Sequence, residues 1–215
     1  MKKEALFIVD NSTDATSPEW NGLEYLEQWC DISKRFDIAT GYFDISALNA
    51  LDGKWQQLDE IRILMGDEMT KRTSVALQKA IQKITDFLDE SIEKEKDANT
   101  FLKGIDGIIE GIRNGKIKCR IYNKKKFHAK CYITYSKAAV APPVALVGSS
   151  NFTYSGLTQN LELNVRISSE AEVSILQDWY EKHWDDAADI SAEIINIIEK
   201  HVKDYSPFEV YLKSL

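Results

Sequence analysis

Four polar residues in the second half of the chain are spaced so that they could take part in one reaction. His128 and Lys130 are separated by one residue, and Asn151 and Glu162 follow. A neutral imidazole is a nucleophile that can hold a phosphoryl group covalently. A carboxylate such as Glu162 can accept the other imidazole N–H and orient the ring. Lys130 and the Asn151 amide would stabilise charge on the non-bridging oxygens. These residue types therefore predict phosphoryl-transfer chemistry.

The segment 127–135 has the alternation of a β-strand, which would position two of these residues. It predicts that His128 and Lys130 project from one side of the strand, roughly 7 Å apart. Both could then contact one phosphoryl group. The predicted buried face consists of Phe127, Ala129, Cys131, Ile133 and Tyr135, and the opposite face of His128, Lys130, Tyr132 and Thr134.

The order of these motifs resembles the signature of the phospholipase D superfamily. His-x-Lys at 128–130, Gly-Ser-x-Asn at 148–151 and Gly-Leu at 156–157 match its pattern. That family places an Asp five residues after the Lys, where this chain has Tyr135. The difference argues against the lipid-hydrolysing branch. The nuclease branch resembles metal-independent restriction enzymes and uses a Glu after the Asn, a place that Glu162 occupies, eleven residues beyond Asn151.

The resemblance implies an activity, a fold and a set of site residues. It implies a metal-independent endonuclease that acts on DNA through a covalent phosphohistidine intermediate and uses no cofactor. It also implies an α/β fold, a phospholipase D-like mixed sheet flanked by helices with a C-terminal helical segment. The expected catalytic residues are His128, Lys130, Asn151 and Glu162, and the expected phosphate-binding residues are Ser149, Ser150, Lys124, Lys125 and Lys126.

The number of motifs predicts the assembly. The superfamily builds its site from two His-x-Lys motifs, and this sequence carries one that is followed by Gly-Ser-x-Asn. The resemblance therefore implies a homodimer in which one His128 attacks and the other protonates the leaving oxygen. His183 and His201 lie in predicted helices, and we expect structural roles for both.

The charge distribution favours a polyanionic partner, although the net charge of −7 does not. The segment 111–161 contains no Asp or Glu and carries nine Lys and Arg residues, so it is +9 and the rest of the chain is −16. A basic surface around His128 would suit a phosphodiester such as DNA.

Strand and helix patterns alternate along the first half of the chain, which suggests parallel strands with crossover helices. The second half of the chain begins with a strand at 117–122, and three further strands and then two helices follow it. Strands are predicted at 5–9, 36–43, 60–66, 117–122, 127–135, 144–147 and 162–167, and helices at about 21–30, 45–58, 73–92, 99–112, 170–184 and 190–202.

Composition places the chain among ordinary globular proteins. Its 215 residues suit one domain, which we expect at 1–204, with 205–215 as the start of an extension. That ending is similar to nuclease-like domains found ahead of helicase motors. Three cysteines form no CxxC pair and indicate reduced thiols in a cytoplasmic protein. No stretch approaches a membrane span.

Two alternatives remain open at this point. A phospholipase or phosphatidyl transferase would require the missing Asp and an apolar entrance facing a membrane. A non-catalytic DNA-binding or dimerisation module of a helicase or restriction system would keep the motif without turnover.

Overall fold

A computed structural model provides the structure of the protein. Several predicted segments lie outside the described residues: the helix at 73–92, the beginnings of the strand at 5–9 and of the helix at 99–112, and the extension at 205–215. The structure describes residues 7–11, 21–43, 45–66, 104, 106–122, 124–137 and 142–203.

Within these residues, eight strands form one mixed sheet in the order β1-β7-β6-β5-β2-β3-β4-β8. The predicted α/β class with a mixed sheet is confirmed. The strands are β1 Ile8–Val9, β2 Ser33–Thr40, β3 Glu60–Gly66, β4 Ile117–Tyr122, β5 Cys131–Ser136, β6 Ala145–Gly148, β7 Asn164–Ile167 and β8 Ala188–Asp189.

The direction of the strands brings the motif segments to one edge. β2 pairs in parallel with β3, as predicted, and β3 pairs in parallel with β4. The expected parallel pairing is wrong for the first strand, since β1 pairs antiparallel with β7. β5, β6 and β7 then pair antiparallel in sequence, starting from β2. The carboxyl ends of β2, β3 and β4 therefore meet the start of β5, the end of β6 and the start of β7. We call this end of the sheet, where these strand ends meet, the site edge; the term does not refer to an outermost strand.

Helices cover both faces of the sheet. Asn21 begins the first helix with a capping box. The Asn21 side chain accepts a hydrogen bond from the Glu24 backbone N–H, and the Glu24 carboxylate accepts one from the Asn21 backbone N–H. Gly115, at φ +77°, ends the third helix where the sequence predicted a stop. The helices are α1 Gly22–Ile32, α2 Ile45–Ala50, α3 106–113, α4 Tyr154–Thr158, α5 Glu170–Asp185 and α6 Ser191–Lys203, with a 3₁₀ turn at Trp55–Gln57.

The helix predicted at 45–58 is shorter than expected. α2 ends at Ala50, and the 3₁₀ turn Trp55–Gln57 follows. Gly53 lies between them at φ +79°, a left-handed conformation that an α-helix does not contain. The buried side chains of Leu51 and Trp55 continue the apolar pattern across this break. Apolar periodicity alone therefore did not reveal it.

The two faces of the sheet bury separate apolar cores. One core contains Phe36, Ile63 and Cys119 from the sheet and packs against α1, α2, α3 and α6. The other contains Leu64 and Ile133 and packs against α5. Central strands are consequently covered on both sides.

This double coverage corrects the prediction for the segment 127–135. The strand begins at Cys131, and residues 127–130 precede it. Tyr132 and Thr134, predicted on an open face with His128, are buried, because the helices of the first core cover that face. The prediction of a buried opposite face is confirmed for Phe127, Cys131 and Ile133.

A network of charges, buried at Asp37 and Arg62 and partly exposed at Glu181, joins the sheet to α5. The Arg62 guanidinium on β3 donates to both carboxylate oxygens of Asp37 at 2.7 and 2.6 Å and to Glu181 at 2.9 and 2.8 Å. Arg35 also donates to Glu181, at 2.9 Å. Burial alone would lower the pKa of Arg62, but these hydrogen bonds raise it above its ordinary value. The hydrogen bond from Arg62 in turn holds the pKa of Glu181 below its usual value.

Arg62→Ala should lower the free energy of unfolding by about 3–5 kcal/mol, because it leaves the fully buried Asp37 without its principal partner. Chemical denaturation measures the change. Lys54→Ala is the matched control, since it removes an exposed ion pair with Asp31 and should cost at most about 1 kcal/mol. Similar small losses in both variants would show that the network does not hold α5 to the sheet.

Candidate active site

Two glycines let the segment before β5 approach the ends of the parallel strands. A Cβ at Gly66 would lie 2.8 Å from the Phe127 carbonyl oxygen. A Cβ at Gly41 would lie 3.3 Å from the His128 Cα and 3.4 Å from the Lys130 Nζ. The His-x-Lys segment therefore lies directly against the carboxyl ends of β2 and β3. Ligand sites in sheets with parallel strands commonly occur at such ends.

Phe127 anchors this segment on the other face of the sheet. Its ring stacks on Trp179 of α5, with centroids 6.1 Å apart, and contacts Tyr122 at 5.6 Å. His183 completes the cluster with its ring 4.4 Å from Trp179, and its Nδ1 lies 2.7 Å from the Trp179 carbonyl oxygen. The residue before His128 is thus fixed by aromatic packing.

His128 and Lys130 have different surroundings. Lys130 is half-buried, and its ammonium donates to the His128 carbonyl at 3.0 Å. His128 is exposed. Within the described residues, no hydrogen bond holds its imidazole ring.

The Gly-Ser-Ser-Asn segment is packed between β5 and β7. A Cβ at Gly148 would lie 2.2 Å from the Leu163 carbonyl oxygen and 2.5 Å from the Asn164 Cα. The buried Asn164 side chain donates to the Ser150 hydroxyl at 2.8 Å and accepts from the Ser150 backbone N–H at 3.2 Å. Tyr132 donates to the Ser150 carbonyl at 2.9 Å. Ser150 is fully buried by these contacts. It supports the segment, and it is not placed to contact phosphate as the sequence predicted.

Asn151 ends this segment with an unused polar atom. Its amide Oδ1 is buried and has no hydrogen-bond partner within the described structure. Its backbone carbonyl accepts from the Thr153 N–H at 2.8 Å, so the turn that follows is tight. The side chain therefore has hydrogen-bonding capacity that the surrounding protein does not use.

Glu162 is brought to the same edge but contacts different residues from those predicted. Its carboxylate accepts hydrogen bonds from the Ser149 hydroxyl and, at 3.4 Å, from the Asn160 amide. Its backbone N–H donates to the Asp10 carbonyl at 3.1 Å. The expected hydrogen bond between Glu162 and the His128 ring is not among the contacts of the described residues. Ser149, which is exposed, is a neighbour of Glu162 that sequence reasoning did not identify.

A family model for the cardiolipin synthase, PLD-like domain matches residues 30–184. This span contains the His-x-Lys and Gly-Ser-x-Asn motifs and most of the sheet. The chain belongs to the phospholipase D-like family. Among curated proteins, no sequence matches this chain.

Several solved structures are similar to this chain at low identity. Nuc from Salmonella typhimurium, a phospholipase D family member, is 17% identical over 80% of this chain and 93% of its own, with a TM-score of 0.48. NucT from Helicobacter pylori is 12% identical over 78% and 90%, with a TM-score of 0.45. Phosphatidylserine synthase from Haemophilus influenzae Rd KW20 is 11% identical over 94% of this chain and 45% of its own, with a TM-score of 0.48.

This phospholipase D-like chain repeats the His-x-Lys spacing once more, at His201-Val202-Lys203. That tripeptide lies at the end of α6, and no Gly-Ser-x-Asn element follows it in the sequence. The count of one therefore applies to the combined motif and not to the tripeptide.

The acid-free segment is less basic in the folded chain than in the sequence. Within the described residues, carboxylates from other parts of the chain form ion pairs with cations of this segment, which a count of charges within the segment does not include. Each pair joins residues more than fifty positions apart. The pairs are Arg113 with Glu199, Lys118 with Glu60 at 2.5 Å and Lys124 with Asp186 at 2.6 Å.

The cations are also spread over both ends of the sheet. Arg113 and Lys116 precede β4, and Lys137 follows β5, so all three lie at the edge opposite the site edge. The length of β4 separates the two edges by roughly 20 Å. The cations near the site edge are the exposed residues Lys124, Lys125 and Lys126, and the half-buried Lys130. Of the predicted phosphate-binding lysines, Lys124 is the one that Asp186 partly neutralises.

Cys131 directly follows Lys130 but does not offer a second nucleophile. Burial raises the pKa of its thiol to about 12, so the reactive thiolate is scarce at neutral pH. Among the described residues, no group of three or more His, Cys, Asp or Glu side chains could hold a metal ion.

Sequence reasoning missed the residues that hold the site segments together. Asn11, at φ 60°, donates to the Gly156 and Asn160 carbonyls, each at 3.0 Å, and accepts from the Gly22 N–H at 2.8 Å. The Thr40 hydroxyl accepts from the Phe152 N–H at 3.0 Å. Except for the contact with Gly22, these contacts join positions more than a hundred residues apart. No local pattern indicates them.

Gly148→Ala should lower the free energy of unfolding by about 3 kcal/mol or more, because the new methyl group would collide with the backbone of β7. Thermal or chemical denaturation measures the effect. Gly107→Ala in α3 is the control: its Cβ would meet nothing closer than 4.0 Å, and the change should stabilise by about 0.5–1 kcal/mol. A Gly148→Ala protein as stable as the wild type would contradict the packing described for the motif.

Proposed function

We propose that this phospholipase D-like chain is a metal-independent phosphodiesterase that cuts DNA and works as a homodimer. The observation that carries the proposal is the arrangement at the site edge. The segment with His128 and Lys130 lies against Gly41. The Gly148 segment, at the end of β6, lies beside it and packs against the start of β7. β5 and β6 are neighbours, and the Gly148 N–H donates to the Lys130 carbonyl at 3.2 Å. One phosphodiester could therefore meet both motifs.

The reaction proceeds in two displacements at phosphorus. A ring nitrogen of neutral His128 uses its lone pair to form a P–N bond, and the P–O bond to the leaving strand breaks. A general acid gives its proton to the leaving oxygen. Water then attacks phosphorus, the P–N bond breaks, and the proton of water passes to the group that acted as acid. The strand is hydrolysed and His128 is regenerated.

Lys130 and Asn151 stabilise the charge on the non-bridging oxygens. Lys130 has one hydrogen bond to a backbone carbonyl, which leaves N–H donors of its ammonium for phosphate. Asn151 is half-buried, and the N–H groups of its amide Nδ2 are the donors that could reach a phosphate oxygen. Donors that are already in place when charge develops contribute more than donors that must be recruited from water.

Glu162 orients an imidazole in this proposal. Ser149 and Asn160 fix its carboxylate at the site edge and leave it half-buried, so it can still accept another hydrogen bond. A carboxylate that accepts an imidazole N–H selects the tautomer and stabilises the imidazolium.

The second imidazole comes from the partner subunit's His128. An exposed apolar patch supports dimerisation near the site, since it flanks Glu162 at the β1 edge of the sheet. Leu161 is 81% exposed, Leu163 60% and Phe7 68%. β1 pairs with β7 on one side, and the sheet ends there within the described residues. A sheet edge with exposed apolar side chains is a surface that a second copy can cover.

DNA is the substrate that the exposed lysines favour. Lys125 and Lys126 lie in the turn that leads from β4 to His128. Phosphate contacts from such residues give salt-dependent, sequence-independent affinity. No helix in the described part of the chain is long and apolar enough to cross a membrane.

We expect the purified protein to cut plasmid or oligonucleotide DNA at full rate in excess EDTA, because Lys130 supplies the positive charge that a metal would otherwise provide. Gel analysis of the products measures the activity. His128→Ala should abolish it, and Lys137→Ala, at the opposite edge of the sheet, is the matched control that should not. An absolute requirement for added magnesium would contradict the mechanism.

A subunit-mixing experiment tests the shared site. Wild-type protein is mixed with His128→Ala in varying ratios and allowed to exchange subunits. If a heterodimer with one His128 cannot complete the reaction, activity should follow the square of the wild-type fraction, because both imidazoles must be present. A linear dependence on that fraction, or a monomer that cleaves at full rate, would show that one chain suffices.

A further inference from the structure

An open, shallow cleft lies between α2 and α4, next to the site edge. Its volume is about 460 Å³, which is ample for a nucleobase. Both helices follow directly from segments of the site: α2 begins after Gly41 at the end of β2, and α4 begins three residues after Asn151. The cleft is lined by Ser46, Asn49, Ala50, Tyr154 and Ser155.

The chemistry of the lining suits an uncharged, flat group with a polar rim. The five described lining residues include two serines, one asparagine and one tyrosine, and none of the five carries a charge. Tyr154 is 44% exposed, whereas Tyr132 and Tyr180 are fully buried. A phosphate would require cations. A nucleobase requires a π-face and hydrogen-bonding side chains, and both are present.

The backbone that carries Tyr154 is firmly held. The neighbouring Phe152 ring stacks on Phe43 with centroids 5.7 Å apart, and the two residues form a parallel bridge. The Tyr154 N–H donates to the Ser46 hydroxyl at 3.3 Å. Tyrosine has few rotatable bonds, so an exposed ring on such a support loses little entropy when a base stacks on it.

The cleft lies within reach of a DNA strand bound at the motif. Tyr154 is three positions after Asn151 in the chain, so their Cα atoms are at most about 11 Å apart. A strand with one phosphate beside Asn151 could place a neighbouring base in the cleft.

We propose that this cleft is a nucleobase subsite in which Tyr154 stacks on an unpaired base of a single-stranded DNA substrate. The inference rests on the proposed function and adds strandedness to it. A base within a duplex is paired with its complement and stacked on both faces, so it must leave the helix before it can enter the cleft. The subsite therefore favours single strands and locally melted duplexes. The substrate should also be held at two places, the phosphate at the motif and a base at Tyr154.

Fluorescence anisotropy tests the subsite with two labelled probes of equal length, oligo(dT) and a base-free strand of the same sugar and phosphate backbone. Tyr154→Ala should weaken oligo(dT) binding by roughly 5- to 100-fold, the range seen when one stacking ring is removed. Binding of the base-free strand should not change. Tyr154→Phe, which retains the ring, should bind both probes as the wild type does. A double change of Lys125 and Lys126 to Glu should weaken both probes alike.

The outcomes separate this inference from the proposed function. Equal affinities of wild-type protein for the two probes, together with DNA cleavage, would overturn the subsite and leave the proposed function standing. If the wild-type protein neither cleaves DNA nor binds either probe, the subsite and the proposed function are both overturned. A second measurement covers the case in which Tyr154→Ala does not fold. Wild-type protein is photocrosslinked to an oligonucleotide containing iodouracil and analysed by mass spectrometry. Crosslinks to the peptide with Tyr154 are expected, and crosslinks confined to other peptides would overturn the subsite.

Discussion

The site depends on close backbone approach at one edge of the sheet. At Gly66 and Gly148 a Cβ would stand 2.8 and 2.2 Å from carbonyl oxygens of neighbouring segments. At Gly41 a Cβ would crowd both His128 and Lys130. Side chains at these positions would push the segments apart, and the two motifs could not lie beside each other. The absence of three side chains thus determines where His128, Lys130 and the Gly148 segment lie.

Helix α5, which packs on one face of the sheet, holds the site edge in place. α5 stacks Trp179 on Phe127 and is itself joined to the sheet by the Arg62 ion network. The buried Tyr180 hydroxyl adds a hydrogen bond to the Arg62 carbonyl at 2.8 Å. A buried ion network of this kind is sensitive to the loss of one partner, because the remaining charge cannot return to water. Stability of the sheet and position of the site are therefore coupled through one helix.

Local sequence patterns predicted a strand or helix well where nearby residues, such as a glycine, determine where it begins or ends. β3 and β4 lie where expected, because apolar alternation coincides with Gly66 at one end and with Asn114-Gly115 just before the other. The covered face of β5 was mispredicted, since alternation cannot tell a polar residue facing solvent from Tyr132 facing a second core.

The partners of charged and polar groups were also beyond local patterns. Asp186 binds Lys124 across more than sixty residues, and Ser149 binds Glu162 across a loop and a helix. The motif itself was recognisable from the types and order of its residues. Their hydrogen-bond partners depend on the fold.

The most direct test of the central claim is to trap the covalent intermediate. Protein and a DNA oligonucleotide are mixed under single-turnover conditions, denatured at alkaline pH, which preserves a phosphorus–nitrogen bond, and digested for mass spectrometry. The account predicts one nucleotide adduct on the peptide that contains His128, which forms and disappears as the DNA is cut. An adduct on any other residue, or cleavage with no adduct at any time, would contradict it.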